Sequence, residues 1–285
     1  MSFEDIASRI KKLENTAVKI KKLQIQGSTA IAKSGVLAFG EYVGSGTNMR
    51  KDAVYAKTKI MSARPTEPML KNAIDYVIRK SKTGKDYINY SNEFIKIKEK
   101  SEKIIAEKGA ALIKNGMNIF THCHSSSVIR IFKKAKEQGK KFNVVCFETR
   151  PLYQGRITAK ELLDVGIHVT FTIDSAMVEA FEVYPPDLVL VGCDAITKTF
   201  FVNKIGTDTL ANMCKKNNVP MYAAGETFKY RDSVIIENRS VEEVWPNAPK
   251  KLEIWNPAFD TTSNKLIKGY ITERGILRSV SCSKL

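Results

Sequence analysis

The sequence carries a cysteine between two histidines, in the run THCHS at residues 121–125. The residues around 118–122 are typical of a buried strand, and a serine cluster followed by an amphipathic run predicts a helix directly afterwards. A thiol at such a junction lies near the positive end of the helix dipole, which favours the thiolate. We therefore expect Cys123 to be a reactive thiol with a lowered pKa, placed where α/β proteins bind ligands.

Three residues of metal-binding type, His122, Cys123 and His124, follow one another in this run. Successive side chains of a strand point to opposite faces, so His122 and Cys123 cannot easily hold one ion, and no second cluster supplies further ligands. The chain also lacks a G-x-G-x-x-G fingerprint after a strand and a phosphate-binding P-loop. The sequence therefore predicts no metal, no dinucleotide and no other cofactor.

The elements that position Cys123 alternate between strand and helix from about residue 116 onwards. This alternation predicts a Rossmann-like, mostly parallel sheet with helices on both faces and a ligand crevice at the carboxyl ends of its strands. The strand-like runs are 118–122, 144–147, 169–173, 188–191 and 221–224, separated by helical patterns at 126–138, 158–165, 175–182 and 204–217. Two further strands are predicted in the tail, at 252–255 and 270–272.

The first part of the chain has helical periodicity instead. Apolar residues from Ile6 to Ala17 are spaced for one face of a helix, and Ser28 is expected to cap a second helix. Further helices are predicted at about 52–61, 69–78 and 87–113. The fold class predicted is therefore α/β, with an N-terminal helical domain at 1–115 and a Rossmann-like catalytic domain at 116–285.

The carboxyl ends of parallel strands bring polar side chains to one crevice. Besides Cys123, the residues expected there are Ser125, Ser126, Ser127, Glu148, Arg150, Asp174, Asp194, Glu226 and Lys229. Taken singly, Asp174 is better explained as a helix cap, and Cys146 and Cys193 as small buried hydrophobes. Taken together, cations and helix N-termini hold phosphate, while Cys and Asp exchange protons with carbon and oxygen. The set predicts proton transfer on a phosphorylated small molecule.

Composition limits the class of protein. The chain has 285 residues, 43% of them hydrophobic, and a formal net charge of +16, carried mostly by lysines on polar helix faces. A solvated surface is therefore favoured over attraction of a polyanion, and no nucleic-acid-binding module is recognisable. No apolar run approaches about 18 residues, so no membrane partner is expected. The odd count of five cysteines and the lack of an apolar signal segment favour the cytoplasm.

Several ordered motifs make the chain resemble a known family. They are ARPT at 63–66, THCHS at 121–125, ETRPLYQGRITAK at 148–160, GCD at 192–194, NKIGT at 203–207, ETFK at 226–229, WNPAFD at 255–260 and ITERG at 271–275. That family contains ribose-1,5-bisphosphate isomerases, methylthioribose-1-phosphate isomerases and the regulatory subunits of translation initiation factor 2B. Within it, the motifs resemble the archaeal ribose-1,5-bisphosphate isomerase branch.

This resemblance implies an enzyme that converts ribose 1,5-bisphosphate to ribulose 1,5-bisphosphate in the salvage of nucleoside monophosphates. Cys123 would be the proton acceptor and Asp194 the proton donor. The residues that would hold substrate are Gln26, Gly27, Ser28, Thr29, Arg64, Ser125, Ser126, Ser127, Arg150, Asn203, Lys204 and Lys229. The resemblance also implies a homo-oligomer, from dimer to hexamer, and activation by AMP.

One departure and two alternatives stay open. The isomerase branch has an Arg-Gly pair where this chain has Gln26-Gly27, and loss of the guanidinium removes a bidentate phosphate contact. The main alternative is a non-catalytic regulatory subunit, which generally lacks the Cys/Asp pair. Methylthioribose-1-phosphate isomerase shares the pair but is usually longer and differs around the cysteine. The presence of both Cys123 and Asp194 favours the ribose-1,5-bisphosphate isomerase.

Overall fold

The computed structural model describes residues 3–25, 27–236 and 238–280. The chain divides into two compact units, unit 1 ending at Lys100 and unit 2 beginning at Ser101. This division falls inside a long helix. The functional domain boundary that the sequence predicts at 115/116 stays a prediction.

Unit 1 is helical, as the sequence predicts. Its helices are α1 (Phe3–Lys21), α2 (Ser28–Gly44), α3 (Met49–Ala63) and α4 (Pro68–Lys80), followed by the first part of α5 (Gly84–Ala110). Helix α2 packs against α1, α3 and α4. Two glycines allow this close packing, because a methyl group on Gly35 would collide with Leu70 and one on Gly40 would collide with Ser91.

The start of α2 differs from the prediction. Gly27, not Ser28, is the N-cap residue, and its φ of 79° lies in the left-handed region that favours glycine. Ser28 is the first helical residue, and its hydroxyl donates to Oε1 of the buried Glu67 at 2.6 Å. The Ser28 hydroxyl is therefore bonded to the Glu67 carboxylate and does not cap the helix. The bond also holds the 27–29 turn beside the loop that carries Arg64, within unit 1.

The strands of unit 2 form the predicted, mostly parallel sheet. In chain order the strands are β1 (Asn118–Thr121), β2 (Asn143–Phe147), β3 (His168–Thr172), β4 (Leu188–Gly192), β5 (Ala195–Ile196), β6 (Phe200–Lys204), β7 (Met221–Ala224), β8 (Phe259–Ser263), β9 (Gly269–Thr272) and β10 (Gly275–Leu277). Within the described residues, seven of them form one sheet in the order β10-β9-β7-β4-β1-β2-β3. All neighbours in it are parallel except β9 and β10.

Helices cover both faces of this sheet. They are α6 (Ser126–Glu137), α7 (Gln154–Asp164), α8 (Met177–Val183) and α9 (Thr207–Lys216). Ile119 of β1 shares a core with Ile131 of α6 on one face, while its neighbour Phe120 packs edge-on against Phe181 of α8 on the other. Because successive strand residues point to opposite faces, β1 is buried on both sides. Over the described ranges, no helix has the length and apolar character needed to cross a membrane.

A small antiparallel sheet, in the order β5-β6-β8, was missed by the sequence reading. Its middle strand carries Asn203 and Lys204, which pair with Asp260 and Phe259 of β8. The helix predicted at 204–217 therefore starts only at Thr207. The run FFVN at 200–203 favours a strand. Its β-propensity outweighs the helical periodicity that predicts a helix beginning at residue 204.

The strand predicted at 252–255 is wrong. These residues form no strand, and the side chains of Leu252 and Trp255 are 49% and 78% exposed. A strand-like composition specifies a strand only where a neighbouring strand pairs with it, and these residues pair with none. It belongs to the 231–258 segment, which follows β7 and precedes β8. The structure describes residues 231–236 and 238–258 of this segment, which include a short 3-10 helix at Val241–Glu243.

Candidate active site

Cys123 and Asp194 lie where the order of strands in the large sheet reverses. From the neighbouring strands β1 and β4, the chain continues through β2 and β3 on one side and through β7 and β9 on the other. Cys123 follows the end of β1 by two residues, and Asp194 follows the end of β4 by two. Open α/β sheets bind ligands outside the carboxyl strand ends at such a switch point. The structure therefore brings the thiol and the carboxylate to one candidate active site.

The backbone at Cys123 is held in a strained conformation. Its φ of 69° is left-handed, a region that non-glycine residues seldom adopt, and Thr149 after β2 has a φ of 64°. Two threonines hold this turn: the Cys123 N–H donates to Thr149 Oγ1 at 2.9 Å, and Thr158 Oγ1 donates to the Cys123 carbonyl at 2.9 Å. Such strain persists only where the surroundings fix it, and it is typical of functional sites.

The predicted lowering of the Cys123 pKa is wrong. Cys123 is partly buried, and desolvation of its thiolate raises the pKa to about 12. The Lys204 ammonium opposes this shift, and the Asp194 carboxylate adds to it. The N–H of His124 at the helix start does favour the thiolate, as expected, but its effect is smaller than the loss of water. The thiol is therefore protonated in the ligand-free protein at neutral pH.

Lys204 is a buried cation beside this pair. Its side chain lies on β6, the residue is 6% exposed, and desolvation lowers its pKa. The negative charges of Cys123, Glu243 and Asp194 act in the opposite direction and favour the ammonium form. Lys204 is thus placed to compensate a thiolate at Cys123 when one forms.

Lys204→Met is expected to slow the alkylation of Cys123 by iodoacetamide at fixed pH by at least about threefold, because removal of the ammonium raises the thiol pKa further. In the unmodified protein the rate is expected to rise with pH through and beyond neutrality, since the raised pKa means that thiolate forms only towards pH 12. Mass spectrometry of the Cys123 peptide measures the rate. Lys216→Met, which removes an exposed ammonium from α9, is the matched control. An unchanged rate in Lys204→Met would contradict the electrostatic assignment.

His122 connects the strand ends around Cys123. The residue is 1% exposed, and burial lowers the pKa of its imidazole, so the ring is neutral. Its Nε2 donates to the Ile205 carbonyl at 2.8 Å, with the tautomer assigned from that acceptor, and its Nδ1 lies 3.8 Å from Asp174 Oδ1. His122 therefore links the end of β1 to the end of β3 and to the loop after β6. His124 makes a lesser contact, with Nδ1 at 3.1 Å from Thr158 Oγ1.

Gly206→Ala is expected to lower the free energy of unfolding by about 1–3 kcal/mol. Gly206 has a φ of 101°, and a methyl group there would lie 3.0 Å from His122 Nε2. Gly116→Ala is the control: its φ of 83° is also left-handed, but nothing lies within 4 Å of the added methyl, so it should lose only about 1 kcal/mol. Urea unfolding measures both values. Equal losses would show that contact with His122 has no energetic effect.

Asp174 does not cap a helix through its side chain, contrary to the expectation. Its carboxylate accepts hydrogen bonds from the N–H groups of Thr149, at 2.9 Å, and Arg150, at 2.7 Å. The strained turn after β2 exposes these two donors, and the carboxylate at the end of β3 is the acceptor within reach. Asp174 therefore shapes the turn that holds the Cys123 backbone.

The three predicted serines open α6 next to β4. Ser125 is the N-cap residue, and its side chain makes no capping hydrogen bond. A methyl group on Gly192 would lie 2.7 Å from Ser125 Cβ and 3.6 Å from Asn203 Oδ1. The bare glycine thus lets the serine turn, the end of β4 and the Asn203 strand come close together. A helix start whose N-cap side chain makes no capping hydrogen bond is a favourable place for a phosphate.

Two of the cations that are predicted to bind substrate donate hydrogen bonds to backbone carbonyl groups. Lys229, 6% exposed, donates to the Cys193 carbonyl at 2.6 Å, immediately before Asp194. Arg150 donates to the Val244 carbonyl at 3.1 Å and to the Tyr153 hydroxyl. Lys229 therefore lies at the β4 end of the site, and Arg150 lies beneath the 231–258 segment.

The remaining predicted residues belong to unit 1. Gly27, Ser28 and Thr29 form the turn at the start of α2, and Arg64 is the C-cap residue of α3. Gln26 lies outside the described residues. The roles assigned to these residues by resemblance stay predictions.

Sequence reasoning missed three residues of the 231–258 segment. Arg239 donates to Glu243 Oε1 at 2.5 Å, and both side chains act electrostatically on Lys204. Asn256 fixes this pair by donating to the Ser240 carbonyl at 2.8 Å and accepting from the Arg239 N–H at 2.8 Å. The signal available in the sequence is the first part of the WNPAFD motif, residues 255–258, which lies in this segment.

Fold and site together define a class of protein. It is an α/β protein whose Rossmann-like unit places a thiol, a carboxylate and a buried lysine at the switch point of its sheet. Among the residues that the structure describes, no group of three or more His, Cys, Asp and Glu side chains is placed to hold a metal ion.

The chain belongs to the initiation factor 2 subunit family, whose sequence pattern matches residues 24–279. It is 37% identical to a ribose 1,5-bisphosphate isomerase of Methanocaldococcus jannaschii over 282 aligned residues, which cover 93% of this chain and 91% of that relative. It is 34% identical to a putative translation initiation factor eIF-2B subunit 2-like protein of Pyrococcus furiosus, over 91% of this chain and 94% of the relative. The solved structure of Pyrococcus horikoshii translation initiation factor eIF-2B matches it with a TM-score of 0.84 at 29% identity, covering 93% of this chain and 96% of the other.

Proposed function

We propose that the protein is a sugar-phosphate isomerase that converts ribose 1,5-bisphosphate to ribulose 1,5-bisphosphate, with Cys123 and Asp194 as the proton-transferring pair. The observation that carries the proposal is the position of this pair on either side of the switch point between β1 and β4. The substrate is that of the isomerase relative, to which the chain is similar over nearly its whole length.

The chemistry needs an acid and a base on one sugar. The C1 oxygen carries phosphate, so simple ring opening cannot give a free aldehyde. Asp194, as the acid, gives a proton to the ring oxygen while the C1–O bond breaks, and Cys123, as the thiolate, takes the proton from C2 to leave an enol phosphate. The Cys123 thiol then protonates C1, and Asp194 takes the proton of the C2 hydroxyl as the ketone forms. Both residues end in their starting protonation states.

The Cys123–Asp194 pair has two forms that carry the same number of protons and differ in which residue holds the proton. The resting form has a Cys123 thiol and an Asp194 carboxylate, whereas catalysis needs the thiolate and the carboxylic acid. The Asp194 carboxylate raises the pKa of Cys123, because each negative charge disfavours the other. The Lys204 ammonium favours the thiolate form of Cys123. The high pKa of the thiol also makes its thiolate a stronger base towards a C–H bond.

Phosphate is held by cations and N–H groups around this pair. The start of α6 with Ser125, Ser126 and Ser127 supplies helix N–H groups, and Asn203, Lys204 and Lys229 line the β4 side of the site. Arg150 joins them once its bond to the Val244 carbonyl opens. Binding by Gln26, Gly27, Ser28, Thr29 and Arg64 rests on the family resemblance.

The test is incubation of the purified protein with ribose 1,5-bisphosphate and chromatographic detection of ribulose 1,5-bisphosphate. Turnover that saturates with substrate supports the proposal, and the same assay in D2O tests for proton transfer. Deuterium at C1 of the product shows proton transfer through a group that exchanges with water, whereas a product without deuterium fits both a direct hydride shift and return of the C2 proton to C1 by Cys123. Absence of turnover, or preferential turnover of methylthioribose 1-phosphate, would overturn the substrate assignment.

Regulation and assembly form a finer part of the proposal. We propose that AMP activates the enzyme and that the chain forms dimers or hexamers in the cytoplasm. The four described cysteines are all free, which supports a reducing compartment. Isomerase assays with and without AMP, and the mass of the native assembly by light scattering, decide these points.

A regulatory subunit of initiation factor 2B is the less supported alternative. The Pyrococcus furiosus relative named for that role favours it. Such a subunit should bind initiation factor 2 stoichiometrically and turn over no sugar phosphate. A pull-down with initiation factor 2, run beside the isomerase assay, discriminates the two functions.

A further inference from the structure

Asp260, the last residue of the WNPAFD motif, takes no part in the proposed proton transfer, yet it makes a distinctive contact. Its Oδ2 accepts hydrogen bonds from the N–H groups of Gly206, at 2.8 Å, and Asp208, at 3.0 Å. These donors belong to the N-cap residue and first turn of α9. Because the N-cap residue is a glycine, it has no side chain of its own with which to cap the helix. The cap is therefore supplied from another element, strand β8.

The turn that Asp260 holds is connected to two proposed substrate-binding residues. Asn203 Nδ2 donates to Thr207 Oγ1 at 3.0 Å, and Thr207 Oγ1 donates to the Lys204 carbonyl at 2.7 Å. Thr207 is the first residue of α9, so the start of the helix fixes both the Asn203 side chain and the Lys204 backbone. Asp260 also pairs directly with Asn203 across β6 and β8. Displacement of the first turn of α9 would therefore move both residues.

The location of the Asp260 carboxylate also decides which helix start remains accessible to an anion. It occupies the first turn of α9, so a phosphate there would meet a carboxylate, whereas the N-cap side chain of α6, Ser125, makes no capping hydrogen bond. Burial raises the pKa of Asp260 to about 6, and its Oδ1 is buried without a hydrogen-bond partner among the described atoms. A buried oxygen without a partner destabilises the folded protein, so the two hydrogen bonds at Oδ2 have to outweigh that cost.

We propose that Asp260 is a positioning residue that sets the Asn203–Lys204 pair by holding the first turn of α9. The inference rests on the proposed isomerase function for its catalytic consequence. Its structural part, the bracing of the loop at 204–208, stands on the hydrogen bonds alone.

Two variants and one control separate positioning from general stability. Asp260→Ala removes the acceptor, whereas Asp260→Asn keeps an amide oxygen that can accept the same two N–H groups. Asp187→Ala is the control, because Asp187 Oδ2 likewise accepts a backbone N–H, that of Asn118 at 2.9 Å, but at the amino end of β1. The control therefore loses one exposed carboxylate–backbone bond in the same unit, away from the carboxyl strand ends that carry the site.

The first readout is amide hydrogen exchange, which needs no substrate. Asp260→Ala is expected to speed exchange at Gly206 and Asp208 by at least about tenfold, while Asp187→Ala leaves these amides unchanged. The second readout is steady-state kinetics on ribose 1,5-bisphosphate. Asp260→Ala is expected to raise KM about tenfold with a smaller change in kcat, and Asp260→Asn to stay within about threefold of the unmodified protein.

Unchanged exchange at both amides in Asp260→Ala, or an equal KM increase in Asp187→Ala, would overturn the proposal. If Asp260→Ala does not fold, Asp260→Glu takes its place, because it keeps the charge and moves the carboxylate by one methylene. An unmodified protein without turnover would defeat the isomerase proposal, and the exchange experiment would still decide whether Asp260 holds the loop.

Discussion

Cys123→Ser is expected to lower kcat for ribose 1,5-bisphosphate by about 10²- to 10⁴-fold, the contribution typical of a positioned general base. A serine hydroxyl has the shape of the thiol but is far too weak an acid to supply the required anion. The turn should persist, because Thr149 and Thr158 hold the backbone of residue 123 rather than its side chain. KM should therefore change by less than about threefold. Product formation under saturating substrate measures the loss.

Cys146→Ser is the matched control for that experiment. Cys146 lies one strand away on β2, is 1% exposed, and has only a packing role. A serine there buries a hydroxyl in an apolar core and should cost about 1–3 kcal/mol of stability without lowering kcat by more than about threefold. Thermal unfolding of both variants shows whether each is folded in the assay. Undiminished kcat in a folded Cys123→Ser variant would refute its role as the base.

Asp194→Asn should lower kcat by a similar factor of about 10²–10⁴, since an amide cannot donate the proton that the ring oxygen needs. This variant should also have an opposite effect on the thiol. The Asp194 carboxylate raises the pKa of Cys123, so its removal lowers that pKa and increases the thiolate fraction at any given pH. Alkylation of Cys123 is therefore expected to become faster, by at least about threefold, in a protein that has lost its activity.

This pairing of lost turnover and gained thiol reactivity is hard to obtain by misfolding alone. Asp187→Asn is the control, because it neutralises a carboxylate at the amino end of the sheet, beside Asn118. It should leave both kcat and the alkylation rate within about twofold of the unmodified protein. Slower alkylation in Asp194→Asn would show that the Asp194 carboxylate does not raise the pKa of Cys123.

Much of the fold of the second unit follows from sequence pattern. The apolar runs of β1, β2, β4 and β7 are continuous because the strands are buried on both faces, and such runs are easily located. The small sheet of β5, β6 and β8 was missed because β5 has only two residues, β8 is mostly polar, and β6 directly precedes the helical periodicity of α9. The run at 252–255 has the composition of a strand but no neighbour to pair with. Composition alone does not distinguish these cases.

The site was predictable as a set of positions but not as an electrostatic environment. Parallel strand ends must meet, so the neighbourhood of Cys123 and Asp194 could be expected from the alternation of elements. The sign of the Cys123 pKa shift could not, because desolvation depends on how closely the surrounding protein covers the thiol. Lys204, which favours the thiolate, is itself influenced by Glu243 of the 231–258 segment, an interaction that no local pattern encodes. The side-chain partner of Asp174 was unpredictable for the same reason.

The 231–258 segment determines the intrinsic tryptophan fluorescence of the protein. It contains both tryptophans of the chain, Trp245 and Trp255, which are 51% and 78% exposed. Val244, the residue before Trp245, accepts the hydrogen bond from Arg150, and Trp255 precedes Asn256, which fixes Arg239 and Glu243. Intrinsic tryptophan emission therefore originates entirely from the segment that accepts a hydrogen bond from Arg150 and acts electrostatically on Lys204. The unlabelled protein can report rearrangement of this segment directly through its fluorescence.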